Sequence, residues 1–196
     1  MKDISRLALV LTLITAGSAL LLAMVEKVTR EPIAQQRRLV TLGALKAVLP
    51  PANNSPDQDT VSLVTGKDSK GNDEQTTFYR GRKDGAVSGV AFRVVAPDGY
   101  SGSIAVMVGI EPNGQVSGVA ILQHAETPGL GALIEGESWK NQFKGKSLDN
   151  ADWRVKKDGG HFDQITAATI SPRAVVGAIR KGLEFYKANK DQIIGG

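Results

Sequence analysis

No cysteine occurs anywhere in the 196 residues, which excludes disulfides, thiolate metal sites, iron–sulfur ligation and thiol catalysis by this chain. Histidine is nearly as scarce. His124 and His161 are the only two, they are distant in sequence, and no His-x-x-x-His pair exists, so no zinc site is expected. Aromatic residues make up 5%. The net charge of +4 is mildly basic, but no stripe of lysine and arginine interleaved with aromatics accompanies it, and nucleic-acid binding is set aside. No Gly-x-Gly-x-x-Gly opens a helix and no complete Gly-x-x-x-x-Gly-Lys-Ser/Thr loop occurs, which removes those routes to nucleotide binding. Ser101 in "GYSGS" has the spacing of a hydrolase elbow, but it precedes a strand rather than a helix, so the stretch reads as a bend.

What is present begins with a long apolar run. "LALVLTLITAGSALLLAMV", Leu7 to Val25, has no charge over nineteen residues. At about 1.5 Å per residue it reaches about 28 Å as a helix, close to the roughly 30 Å hydrocarbon core of a bilayer. The apolar region of a cleaved signal peptide is shorter, about 7 to 15 residues, and no small-x-small cleavage site follows. The run reads as an uncleaved membrane anchor in the lipid bilayer. Lys2 and Arg6 precede it, and Lys27, Arg30, Arg37 and Arg38 follow. That count of positive charge leans toward a cytoplasmic body, a rule that loosens when a folded domain follows the span.

The remaining chain has the apolar (41%) and charged (22%) shares of a globular protein, enough for one domain of ordinary size. "TREPIAQQRRLVTLGALKAVLPP" is predicted as a stalk helix, with Thr29 as its cap, Pro32 in its first turn and Pro50-Pro51 as its stop. Ile33, Leu39, Leu42, Leu45 and Leu49 fall near one face. "ANNSPDQDT", 52 to 60, reads as a polar loop. "VSLVT", "TTFYR" and "AVSGVAFRVVA" read as strands. The clearest hairpin alternates Ile104, Val106, Val108 and Ile110, turns at Asn113-Gly114 and returns over Val116 to Leu122. "PGLGALIEGESWKNQF" is expected to hold a short helix and "DWRVKK" a strand. A final amphipathic helix starts at Ser171 (N-cap) and Pro172, and buries Ala174, Val175, Ala178, Ile179, Leu183 and Tyr186. Strands followed by packed helices, without βαβ alternation, give an α+β domain with an antiparallel sheet. The expected division is an anchor over 1–28, a stalk helix and linker over 29–60, and a single domain over 61–196.

Two stretches invite chemistry. In "HAETPGLGALIEG" the residues Pro128, Gly129 and Gly131 make a tight turn that lets backbone N–H groups approach a ligand. By composition alone it reads as an ordinary strand-to-helix loop. In "DQITAATISP" a phosphate on Thr169 would lie near the first turn of the final helix, whose unpaired N–H groups favour an anion by about 0.3 to 1 kcal/mol, with Arg173 nearby. By composition alone Thr169 reads as a β-branched residue that ends a strand.

"DQITAAT" resembles the flavinylation motif Asp-x-x-Ser/Thr-Gly-Ala-Ser/Thr of membrane-anchored FMN-binding domains, with Asp163, Thr166, Ala168 and Thr169 in register. "ETPGLG" resembles that family's second signature, a loop taken to lie against the flavin. Together with "APDGYSGSI", "VKKDGGHFDQ" and "TISPRAVVGAI", these stretches are most similar to the G subunits of the Rnf complex, the ion-translocating ferredoxin:NAD oxidoreductase of bacterial inner membranes. The resemblance covers nearly the whole chain. It implies an FMN-binding domain whose FMN is bound covalently to Thr169 by a phosphoester, installed by a dedicated flavin transferase. Glu126, Thr127, Pro128, Gly129 and Leu130, with Asp163, Thr166, Ala167 and Ala168, are then the expected cofactor-binding residues. Lys156 and Lys157 are weaker candidates for charge near the flavin.

The resemblance also implies an electron-transfer subunit of an oxidoreductase complex rather than a stand-alone enzyme, partnered by the other membrane subunits. The anchor is then single-pass in the inner membrane and the FMN domain periplasmic, against the charge count. The C subunit of the sodium-translocating NADH:quinone reductase shares the motif and is the second reading. A flavin-free membrane-tethered scaffold is the third. One departure stands out. Ala167 occupies the glycine position of the motif, and if that position needs positive φ, alanine costs about 1 kcal/mol or more.

Overall fold

The computed structural model describes residues 2–67 and 71–195. Its first element, α1, runs unbroken over Lys2–Val48 and is long and apolar enough to cross a membrane. The expected break between anchor and stalk is therefore absent. Thr29 does not cap a new helix. Its hydroxyl donates back to the carbonyl of Val25 at 2.8 Å, an i−4 bond available to threonine inside a helix. Pro32 lies within the same helix. Residues 1–40 and 41–196 form separate compact units. Ile33 and Leu39 are exposed, and near the end of α1 Ala44, Leu45 and Val48 are buried.

The second unit is built on a five-stranded antiparallel meander in the order β1-β2-β3-β4-β5. The strands are β1 (Thr60–Lys67), β2 (Asp73–Lys83), β3 (Ala86–Ala96), β4 (Ile104–Ile110) and β5 (Val116–Gln123). The alternation in β4 sorts its two faces as expected. Ile104, Val106, Val108 and Ile110 join the main core, while Met107 packs with Ala91 of β3 against Ala44, Leu45 and Val48 of α1. That second contact is close because two glycines allow it. A Cβ on Gly109 would collide with the Val48 carbonyl oxygen, and one on Gly118 would stand 2.9 Å from the Val48 Cα. Ser117 Oγ then donates to the Val48 carbonyl at 2.6 Å, satisfying an orphan group at the helix end.

The other face is covered by α3 (Ile170–Ala188), with α4 (Lys190–Ile194) after it. All six residues expected on the apolar face of α3 are buried. Beside it, α2 (Glu137–Asn141) supplies Trp139, which meets Phe143 edge-on at 5.1 Å between ring centroids. Phe143 in turn stacks on Phe162 at 4.9 Å, and Trp153 tilts against Phe162 at 4.7 Å. This aromatic cluster holds up the irregular segment 151–169. "DWRVKK" is not a strand. Val155 makes a single bridge with Phe162 and Lys156–Asp158 forms a 3-10 turn.

The polar loop 52–59 is fastened rather than free. Asp59 accepts from Arg80 Nε and Arg82 Nε, each at 2.6 Å. Asn54 donates to the Arg80 carbonyl at 2.9 Å and accepts from the Arg82 N–H at 2.8 Å. Burial raises the Asp59 pKa, but the hydrogen bonds from Arg82 and Arg80 outweigh it and hold the carboxyl below its ordinary 3.8. A depressed carboxylate contributes stability above its unfolded pKa and loses it as pH falls through the folded one. Asp59→Asn is expected to cost about 3 kcal/mol at neutral pH, because the buried Arg80 loses the carboxylate it pairs with. Thermal unfolding of the detergent-solubilised chain checks this, and the gap to wild type should close as pH drops below about 4.

Candidate functional site

Three segments meet at the carboxylate of Glu126, only 4% exposed. It follows β5, within the "HAETPGLG" loop. Its Oε1 accepts the backbone N–H of Ser101 at 3.0 Å, and its Oε2 accepts the hydroxyl of Ser171 in a short hydrogen bond. Gly131 completes the enclosure, since a Cβ there would fall 2.5 Å from Glu126 Oε2 and 2.7 Å from Ser171 Oγ. Three segments distant in sequence thus meet at one carboxylate: the "GYSGS" bend, the "ETPGLG" loop and the start of α3. Beside it, His124 Nδ1 accepts the N–H of Glu126 at 3.0 Å and its Nε2 faces Glu135 Oε1 at 3.0 Å. This pins the loop to the 3-10 turn Gly131–Glu135.

The contact revises the reading of Ser171. It is not the N-cap of α3, which begins one residue earlier, at Ile170, with Thr169 in the flanking position. Ser171 is fully buried in the first turn and spends its hydroxyl on Glu126. The anion-favouring start of this helix is already answered by a protein carboxylate. Pro172 still sits in the first turn, where its missing N–H costs little.

Thr169 is half-buried and its hydroxyl makes no capping hydrogen bond. It follows a tight turn. The Ala168 N–H donates to the Ile165 carbonyl at 3.0 Å, and Ala167, third of the four residues, has φ +63°. That is the position at which a type II turn demands positive φ and prefers glycine. The structure thus explains the motif glycine, and alanine here carries the left-handed cost. Thr166 and Ala167 are exposed and Ala168 is half-buried.

Asp163 anchors the start of this segment. Its N–H donates to Gln142 Oε1 at 2.6 Å, its carbonyl accepts the Trp139 indole at 2.8 Å, and its carboxylate pairs with Lys156 Nζ at 2.6 Å. Arg173 grips Asp158 with two parallel bonds, Nε to Oδ2 at 2.7 Å and Nη2 to Oδ1 at 2.8 Å.

In the other loop, Thr127, Pro128, Gly129 and Leu130 are exposed. The Thr127 carbonyl accepts from Leu130 and Ala132, and Gly129 has φ +73°. Three exposed apolar side chains, Tyr100, Leu130 and Ile170, are each one residue from a group at the Glu126 carboxylate. A planar apolar ring tethered near Thr169 would find such surface, so these residues fit a flavin. The structure therefore ties the "ETPGLG" loop to the first turn of α3, two residues beyond "DQITAAT", and adds Ser101, Gly131, His124 and Ser171. Glu126 itself is turned inward and acts as the tie between loops. "GYSGS" carried a signal as a small-residue bend. The Ser171 contact, 45 residues from Glu126, left no local pattern.

Residues 99–184 match the FMN-binding domain family, and residues 1–48 match the RnfG N-terminal region. The chain is 38% identical over 192 residues to the G subunit of the ion-translocating oxidoreductase complex of Aliivibrio fischeri, covering 95% of this chain and 91% of that one. It is 40% identical over 200 residues to the protein of the same name in Pseudomonas aeruginosa, covering 98% and 93%. Among solved structures, NqrC of Shewanella oneidensis superposes with a TM-score of 0.58 over 83% of this chain and 98% of that one, at 19% identity. That likeness is one of fold. The full-length matches at both ends of the chain identify it as a member of the family of G subunits of the ion-translocating oxidoreductase complex, with an FMN-binding domain behind an N-terminal apolar helix.

Proposed function

We propose that this chain is the FMN-carrying electron-transfer subunit of an Rnf-type ion-translocating complex, with the flavin joined to Thr169 by a phosphoester. The observation that carries the reading is the convergence at Glu126. It fastens the first turn of α3 to the "ETPGLG" loop, and the threonine that flanks that turn has an uncapped hydroxyl next in sequence to exposed Ile170. FMN, when bound, supplies one- and two-electron chemistry. The chain's own contribution is to hold it. Thr169 fixes the phosphate end, Thr166 to Ala168 shape the linker, and Thr127 to Leu130 offer backbone and apolar contact. No general acid, base or nucleophile for turnover is required of these residues. Electrons arrive from one membrane subunit and leave to another, and a dedicated transferase installs the flavin. Residues 1–28 anchor the chain in the inner membrane, and the flavin domain works on the periplasmic side.

Thr169→Val keeps the β-branched shape, and because the hydroxyl makes no capping bond, stability should change by less than about 0.5 kcal/mol. Covalent flavin, read as fluorescence on a denaturing gel after expression with a flavin transferase, should vanish. Thr166→Val should lower it only in part. Flavin persisting on Thr169→Val defeats the attachment site, and a flavin-free wild type favours the scaffold reading.

Ala167→Gly relieves the left-handed strain and should raise stability by about 1 kcal/mol. A thermal midpoint some 2–4 °C higher is the expected shift, on the order given by domain-sized unfolding entropies.

For orientation, a reporter active only outside the cytoplasm, fused after Gly196, should be active. Activity of a cytoplasm-dependent reporter instead would restore the charge count around the anchor.

A further inference from the structure

Arg173 lies one helical turn beyond Thr169, its N–H directed at the Thr169 carbonyl at 3.3 Å, so the two side chains leave the same face of α3. Its guanidinium has five N–H donors. Asp158 takes one from Nε and one from Nη2, leaving both Nη1 hydrogens and one on Nη2 unspent. The pair is held at a fixed place, because Asp158 belongs to the 3-10 turn Lys156–Asp158, whose Lys156 N–H bonds the Phe162 carbonyl at 2.7 Å above the aromatic cluster.

The charges around the loop are mixed, and Asp158 feels Lys157 and Arg154 as well as Arg173. Lys156 is paired with Asp163 and Arg173 with Asp158.

From this geometry we infer that Arg173 is the cation that binds the phosphoester on Thr169, and that Asp158 is a positioning residue that aims its guanidinium there. The inference rests on the flavin assignment above. A plain surface ion pair between α3 and the 3-10 turn is the alternative role. The two differ in what Asp158 does. If Arg173 acts only as a diffuse positive charge, removing Asp158 makes the rim more cationic and modification faster. If Asp158 aims the fork, its removal slows modification despite the more favourable charge.

The test uses full-length chain expressed with the transferase, comparing wild type, Arg173→Gln, Arg173→Lys and Asp158→Asn. Arg173→Gln should lower the initial rate of covalent flavin incorporation about tenfold, the scale of one lost charge-assisted bond. Arg173→Lys should recover only part, since a point charge lacks the fork, and Asp158→Asn should be slower than wild type. In protein already loaded, the 31P resonance of the ester should be displaced in Arg173→Gln. That measurement separates a clamp on the ester from recognition by the transferase. Wild-type rate in Arg173→Gln, faster loading in Asp158→Asn, or an unmoved 31P resonance would overturn the inference. A wild type that carries no covalent flavin would instead overturn the flavin assignment.

Discussion

A single carboxylate holds this domain's loops in place. Taking Glu126 out of water without a cation beside it costs several kcal/mol unless its oxygens are well bonded. Both are. One accepts a backbone N–H from the "GYSGS" bend, the other a buried hydroxyl from the first turn of α3, and the positive end of that helix adds a favourable field. Charge-assisted bonds of this kind are stronger than neutral ones. Moving any one of the three segments would strand the carboxylate, so the segments stay together. A site made of surface loops is thereby given the rigidity of the core.

The second support is hydrophobic. Trp139, Phe143, Trp153 and Phe162 pack as one cluster beneath a segment that has almost no regular structure. The indole of Trp139 reaches up to the Asp163 carbonyl, which converts packing of aromatic rings into a fixed backbone position at the start of the "DQITAAT" turn. From there a tight turn with Ala167 at positive φ delivers Thr169 to the head of α3.

What the sequence made legible followed from periodicity. The alternation of β4 and β5 and the spacing of apolar residues in α3 match the burial seen in the structure, because each pattern is local and has a single solution on a sheet or helix. The α+β antiparallel architecture came with them. The misread parts have separate causes. Thr29 and Pro32 look like a helix start, yet α1 passes through both. "DWRVKK" has strand composition but forms a single bridge and a 3-10 turn. Ser171-Pro172 looks like a cap, yet the serine is claimed by a glutamate 45 residues away. Ala167 is the instructive opposite case. Its departure from the motif pointed to a positive φ, and the turn has one.

The central claim is that the chain isolated from its own membranes carries one FMN, and carries it on Thr169. Intact-protein mass followed by peptide mapping of the native chain measures this without variants or a supplied transferase. The account predicts a single added FMN, with no other modification, on the peptide that contains "ITAATISPR". An unmodified chain, or a flavin mapped to any other residue, would contradict it.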